Sequence, residues 1–243
     1  MEGDRLGLLV QSGRSHIERM LICVDVTRAV IEEAIEKRVD TILTFHPLIF
    51  RPLTSINSDD RVGECIELAI SSGIAIISAH TNIDAHPRGT NAVFASRLGW
   101  SVSSLLVPDL VHAGHGMGVV CEIEPTPLTD VVEAVHRVCG SPIRWNAGAT
   151  DIITSIAVVC GSGSSYLSEA MKANVDAFVT ADVRYHTYLE AEGTLSIIDP
   201  GHFEMEQFVP QAMREIVVTD VMKMKSDVEV LVSEISTNPV RYR

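Results

Sequence analysis

Short apolar runs of β type alternate with helical patterns along most of the chain, and that alternation constrains the fold more than any other feature. Met20–Val26, Thr41–Phe45, Ile74–Ser78, Ile156–Cys160, Ala177–Thr180 and Leu195–Ile198 read as strands. Helices are expected at Val30–Arg38, Asp59–Ser71, Asn91–Leu98, Leu128–Cys139, Tyr166–Ala173, Tyr185–Glu192 and Glu204–Glu215. Thr27 is a candidate N-cap for the first of them, with Glu32 and Glu33 in its early turns. The less regular middle adds a strand at Val119–Ile123, and the last strand lies near Val228–Val232. Strands separated by helical stretches are the mark of βαβ units, so the chain is expected to be α/β with mixed, largely parallel sheets.

The chain also echoes itself. Val39-Asp40-Thr41-Ile42-Leu43-Thr44-Phe45-His46 aligns with Val175-Asp176-Ala177-Phe178-Val179-Thr180-Ala181-Asp182, and Glu33-Ala34 with Glu169-Ala170, all at an offset of 136 residues (182 − 46). Two βα units can look alike by chance over eight residues. If the echo is genuine, the chain holds two related lobes, one about 1–107 and the other about 108–243, with a functional site where strand carboxyl ends converge between them.

Composition narrows the function. At 243 residues, 46% hydrophobic and 21% charged, the chain is an ordinary globular protein. A net charge of −13 argues against direct nucleic-acid binding, which needs clustered Lys and Arg. The short basic cluster Lys223–Lys225 reads as solvated surface. No apolar run approaches the ~20 residues that span a bilayer, and MEGDRLGLLV lacks the pattern of a secretory or transit leader. Five scattered cysteines with no CxxC pair suit reduced, mostly buried thiols. A cytoplasmic location is therefore expected.

Candidate chemistry collects where predicted strands end. His46 follows one strand and precedes Pro47; it could be a ligand, or a capping or core residue. Asp84 lies in the polar cluster Ser78-Ala79-His80-Thr81-Asn82-Ile83-Asp84, and either ligates or caps the next helix. In Ile198-Asp199-Pro200-Gly201-His202-Phe203-Glu204-Met205-Glu206, a helix starting after Gly201 puts His202 and Glu206 on one face, where both can hold one cation. Four ligand-capable residues at the ends of three strands are hard to explain as independent caps. Imidazole with carboxylate suits Zn, Mn, Fe or Co, and two carboxylates could bridge a metal pair. Gly161-Ser162-Gly163-Ser164-Ser165 could receive a phosphate, but it lacks a P-loop lysine and reads more plainly as a tight turn.

The runs DVTRAVIEEAI, TFHPLIFRPLTSI, SAHTNIDAHPRGTN, TADVRYH and IDPGHFEMEQF resemble the successive motifs of the Ngg-interacting-factor-three-like family, whose bacterial members are often labelled GTP cyclohydrolase I type 2. The resemblance runs from Leu6-Gly7-Leu8 to Thr237-Asn238-Pro239-Val240. It implies a two-lobed α/β fold, a two-metal centre between the lobes, and a ring-shaped homo-oligomer, commonly a hexamer. His46, Asp84, His202 and Glu206 fall on the family's metal-ligand positions, with Asp84 and Glu206 as the expected bridges. Two departures stand out. Phe45-His46 replaces a pair of adjacent histidines, so one or two divalent cations per chain are expected, the second held more weakly. The chain also begins almost at Asp4-Arg5-Leu6-Gly7-Leu8, where the family carries a preceding amphipathic helix, and it has no large insertion domain between the halves.

Such a centre implies metal-assisted hydrolysis of a small nucleotide, a related cyclic amide or a phosphoester. On GTP, water would attack C8 with a histidine as proton shuttle, and His80 and His186 are the catalytic candidates. Each also has a plainer reading, His80 as support for a ligand and His186 as exposed surface. Asp182, the counterpart of His46 in the echo, is expected to orient a ligand or to cap the helix after it. The alternative function is a metal-binding scaffold or regulatory partner with little turnover.

Overall fold

The structure, a computed structural model, describes residues 4–223 and 227–243. Met1, Glu2, Gly3 and Lys225 of the expected basic cluster lie outside those residues, while Lys223 is exposed and pairs with Asp220. The chain divides into two compact units, 1–83 with 209–239, and 84–208 with 240–243. This division differs from the expected boundary near residue 107. The first crossing falls between Ile83 and Asp84, and the segment 209–239 returns to the first unit because its strand pairs there.

The first unit contains β1 (Gly7–Val10), β2 (Arg19–Cys23), α1 (Arg28–Glu36), β3 (Thr41–Thr44), α2 (Arg61–Ser71) and β4 (Ala75–Ser78). The short helix α3 (Thr81–Asp84) ends at the crossing, and α9 (Val209–Lys223) and β11 (Glu229–Val232) complete the unit. Its sheet has the order β1-β4-β3-β2-β11, parallel except for β1, which runs against β4. The middle strands are almost wholly buried, with Thr41, Thr44 and Ser78 among their apolar residues, as suits strands covered on both faces. Leu21, Ile42, Ile76, Val30, Ile31 and Cys65 meet in one core. Thr27 is the N-cap of α1, its hydroxyl accepting the Val30 N–H, and Asp60 caps α2 by accepting from Val62 and Gly63.

The second unit contains α4 (Thr90–Arg97), β5 (Ser101–Pro108), β6 (Gly116–Pro127), α5 (Leu128–Cys139), β7 (Arg144–Trp145) and β8 (Ile152–Val158). A 3-10 turn (Ser164–Tyr166) leads into α6 (Leu167–Lys172), followed by β9 (Ala177–Val179), α7 (Tyr185–Ala191), β10 (Ser196–Asp199) and α8 (His202–Glu206). Its sheet has the order β5-β6-β8-β9-β10-β7, parallel from β8 to β10 and antiparallel elsewhere. The expected helix Glu204–Glu215 is two helices, α8 and α9, and they lie in different units. The first begins at His202 because Asp199-Pro200-Gly201 breaks the chain just before it, with Gly201 at φ +99°.

The internal echo is a repeat of backbone architecture. Residues 28–36 form α1, and 164–172, 136 further on, form the 3-10 turn with α6. Arg38 and Asn174 both take left-handed conformations, φ 54° and 55°. Asp40 Oδ2 accepts from the N–H groups of Glu18 and Arg19 at 2.8 and 2.9 Å. At the same offset, Asp176 Oδ2 accepts from Thr154 and Ser155 at 2.8 and 3.0 Å. Each aspartate stands just before a parallel strand and ties it to its neighbour, Asp40 at the start of β2 and Asp176 within β8.

Candidate metal centre

In the first unit the chemistry sits just past the carboxyl ends of β2, β3 and β4. The loop after β3 is locked by its own backbone: the His46 N–H donates to Val24 O at 2.8 Å, and the Thr44 hydroxyl donates to the carbonyls of Val24 and His46. His46 Nδ1 lies 2.9 Å from Asp25 Oδ1, and the Thr237 hydroxyl donates to the other oxygen of Asp25 at 2.9 Å. A carboxylate on Nδ1 fixes the tautomer and leaves Nε2 as the nitrogen able to ligate, the arrangement common behind metal-bound imidazoles. Phe45 is fully buried, its ring centroid 5.0 Å from His46 and 5.5 Å from His80. It therefore packs against both imidazoles within this unit.

His80 has its own anchor. Its Nδ1 is 2.9 Å from Asp4 Oδ1, and Asp4 Oδ2 accepts from the Thr81 N–H at 3.2 Å and from the Thr81 hydroxyl. Burial pushes the Asp4 carboxyl up, but the hydrogen bonds from His80 and Thr81 outweigh it and set it at about 2. The rings of His46 and His80 meet edge to face at 5.7 Å.

In the second unit, α8 supplies a ready-made pair. His202 Nε2 is 3.0 Å from Glu206 Oε2, one helical turn away, and His202 Nδ1 is 2.7 Å from Asp182 Oδ2. Glu206 is 3% exposed, so its carboxylate needs compensation. Burial alone would lower the His202 pKa; Glu206 and Asp182 outweigh it and raise it to about 9. Gly161 makes room for the pair. A Cβ there would lie 2.2 Å from Glu206 Oε1 and 3.2 Å from His202 Nε2, and its φ of +65° is itself a glycine conformation.

Asp84 ends α3, and its carbonyl accepts from Asn91 Nδ2 at 2.9 Å. Asn91 is 2% exposed, and its Oδ1 accepts the Cys160 N–H at 2.8 Å, so it ties the Asp84 segment to the residue preceding Gly161. Burial raises the Cys160 thiol well above its ordinary range, and the nearby Glu206 and Asp84 carboxylates raise it further. Asp84 does not cap the helix that follows; Gly89 is the N-cap of α4. Nor does Asp182 cap α7, whose N-cap is Arg184. The Gly161–Ser165 loop is a turn: the Gly163 N–H is spent on Thr180 Oγ1 at 2.9 Å and on Gly161 O at 3.0 Å, which leaves that amide nothing for a phosphate.

The expected ligands thus divide between the units, His46 in the first and Asp84, His202 and Glu206 in the second. His186 is exposed on α7, its ring edge-on to Tyr185. Sequence reasoning passed over three supporting residues, Asp4, Asp25 and Asn91. Asp25 and Asn91 stand inside the motif runs, Asp25 at a strand end, so a polar residue beside an apolar run was the available signal. Asp4 contacts residues 76 and 77 positions away, and no local pattern reveals that.

Fold and side chains together define a two-unit α/β protein bearing carboxylate-backed histidines at the carboxyl ends of parallel strands. The family model described as Duf34/NIF3 (NGG1p interacting factor 3) matches residues 1–239. The chain belongs to that family. A GTP cyclohydrolase 1 type 2 homolog of Clostridium acetobutylicum is 31% identical over 99% of this chain and 91% of its own length. A protein of the same name from Clostridium perfringens is 32% identical over 98% and 91%. Among solved structures, the Staphylococcus aureus hypothetical protein SA1388 superposes with a TM-score of 0.92 at 26% identity, covering 100% of this chain and 93% of that one. Among the described residues, no helix is long and apolar enough to cross a membrane.

Proposed function

We propose that the protein is a divalent-cation-dependent hydrolase of a small nucleotide or a related cyclic amide or phosphoester. In this reading His202 and Glu206 hold one cation and Asp84 and Glu206 a second, weaker one, and His46 is the further ligand that the family resemblance implies. The observation that carries the proposal is the pairing of His202 Nε2 with the buried Glu206 carboxylate at 3.0 Å while a second carboxylate holds Nδ1. Two imidazoles with Nδ1 engaged and one buried carboxylate make a donor set suited to Zn, Mn, Fe or Co. A cation held there supplies Lewis-acid activation of water and of a carbonyl, imine or phosphoryl oxygen.

The chain's own residues do the rest. Asp25 and Asp182 keep the two imidazoles oriented, Gly161 keeps the space beside Glu206 open, and Asn91 holds the Asp84 segment in register. His80, with Nδ1 engaged by Asp4, exchanges protons through Nε2 as the shuttle, a role this reading prefers for it over exposed His186. The relatives' name makes GTP the first substrate to test. The family resemblance further supports a homohexamer acting in the cytoplasm, which native mass measurement and fractionation check.

A second reading, a metal-binding scaffold with little turnover, is favoured by Phe45. Where a second imidazole would ligate, this ring is packed away. Metal content of the purified protein, followed by assay of GTP and phosphoesters with each cation restored, separates the two. Turnover that requires the cation and disappears in Glu206→Ala supports the hydrolase. A bound cation with no turnover on any substrate supports the scaffold, and no bound cation at all ends both readings.

A further inference from the structure

Three of the nine histidines meet at the loop joining β5 to β6, and none of them is a ligand of the centre proposed above, although His86 follows Asp84 by two residues. That loop is closed by its own backbone. The Asp109 N–H donates to His115 O at 2.8 Å, and the His115 N–H donates to His112 O at 3.1 Å. His112-Ala113-Gly114-His115 is therefore a four-residue turn, with Gly114 at φ +80° as such a turn requires. A turn of this kind brings its first and last side chains together. The third imidazole arrives from the segment after α3, pinned to the base of the hairpin by the Gly116 N–H, which donates to Ala85 O at 3.0 Å. His115 is the shared member, 5.5 Å from the His86 ring and 6.2 Å from the His112 ring.

We propose that His86, His112 and His115 form a separate site for a divalent transition cation that favours imidazole, such as zinc, nickel or copper. Two imidazoles bound tetrahedrally to one such ion, each through a nitrogen about 2.1 Å away, have ring centroids roughly 5 Å apart. The His86–His115 spacing is close to that, and the His112–His115 spacing needs a small rotation of His112. That side chain is 69% exposed and turns at little cost. Two of the three rings already carry outer support. His112 Nδ1 faces Asp109 Oδ1 at 3.4 Å, and His115 Nδ1 lies 3.4 Å from Ala113 O, which directs ligation to Nε2. Asp109 is itself fixed by the N–H groups of Val111 and His112, at 2.7 and 2.9 Å. His86 is the weakest ligand, because its Nδ1 accepts the Arg88 N–H at 3.1 Å and the ring must exchange that bond to join.

The inference does not rest on the hydrolase reading, and its test keeps the two apart. Nickel or zinc is titrated calorimetrically into the intact chain, with bound metal counted after desalting, for the parent, Glu206→Ala, His112→Ala/His115→Ala and His86→Ala. One equivalent should survive in Glu206→Ala and be lost in the hairpin double variant, while His86→Ala keeps the stoichiometry and weakens the binding. A His112→Gln/His115→Gln variant with an unchanged melting temperature guards against loss through misfolding. Equal stoichiometry in the parent and both double variants overturns the proposal, and so does a His86→Ala variant that binds as tightly as the parent.

Discussion

The two units share a backbone plan and use the same positions for different chemistry. In the first, position 46 is the histidine and position 25 the aspartate that holds its Nδ1. At the same offset the second unit has Asp182 and Gly161. The carboxylate now sits on the strand-end loop and the glycine opens space, while the histidine comes from α8, outside the aligned segment. Residues that set the backbone stayed in register, Asp40 with Asp176 and Arg38 with Asn174. Residues at the strand ends diverged. A repeated scaffold is held by its hydrogen bonds to main chain, and the side chains beyond the last bond are open to new roles.

Several experiments test this contrast. The second unit supplies two facing donors, so Glu206→Ala should weaken cation binding by at least about 100-fold, roughly 3 kcal/mol, and His46→Ala by about ten-fold. Calorimetric titration reads both, and the reverse order would place the centre of binding in the first unit. On the scaffold side, Asp40→Ala removes a buried acceptor from two partly buried backbone N–H groups and should cost about 2–4 kcal/mol. Asp176 is half-buried, and its replacement should cost about half as much. Both tryptophans, Trp100 and Trp145, lie in the second unit, so urea unfolding followed by fluorescence and by far-UV circular dichroism assigns each loss to its unit.

The two supporting carboxylates come next. Asp25→Asn and Asp182→Asn should each weaken the cation by about 10- to 100-fold with little effect on melting, since both act through an imidazole. Unequal losses would show which histidine dominates. The smallest expected effect is acid sensitivity in the first unit. The folded Asp4 carboxyl sits at about 2, below its ordinary 3.8, so its contribution is complete above pH 4 and is lost as the pH falls toward 2. That contribution is about 2 kcal/mol, and melting measured from pH 5 to 2 should show its loss in the parent and a smaller loss in Asp4→Asn.

Much of the fold was legible because strand and helix periods are local. Leu128–Cys139 is a helix over the expected residues, and Thr27 caps α1 as its position predicted. The strands β1, β5 and β7 carry no such signal. β7 has only two residues, β1 begins on two exposed residues, and β5 is an edge strand whose mostly exposed Ser101–Pro108 carries no alternating pattern. Of the two roles expected for Asp182, capping α7 falls to Arg184, and its carboxylate instead faces His202 Nδ1 at 2.7 Å. Asp4, joined to His80 across 76 residues, was not legible.

By itself the sequence determined the βα alternation, the repeat and the ligand-capable residues at strand ends, since each depends on neighbours a few positions apart. Only the tertiary structure decided that α9 and β11 return to the first unit, that Phe45 packs against two imidazoles, and which carboxylate holds which Nδ1. Those outcomes depend on contacts between residues tens to hundreds of positions apart, such as Arg19 with Glu229, and a hydrogen bond of that kind leaves no trace in local order.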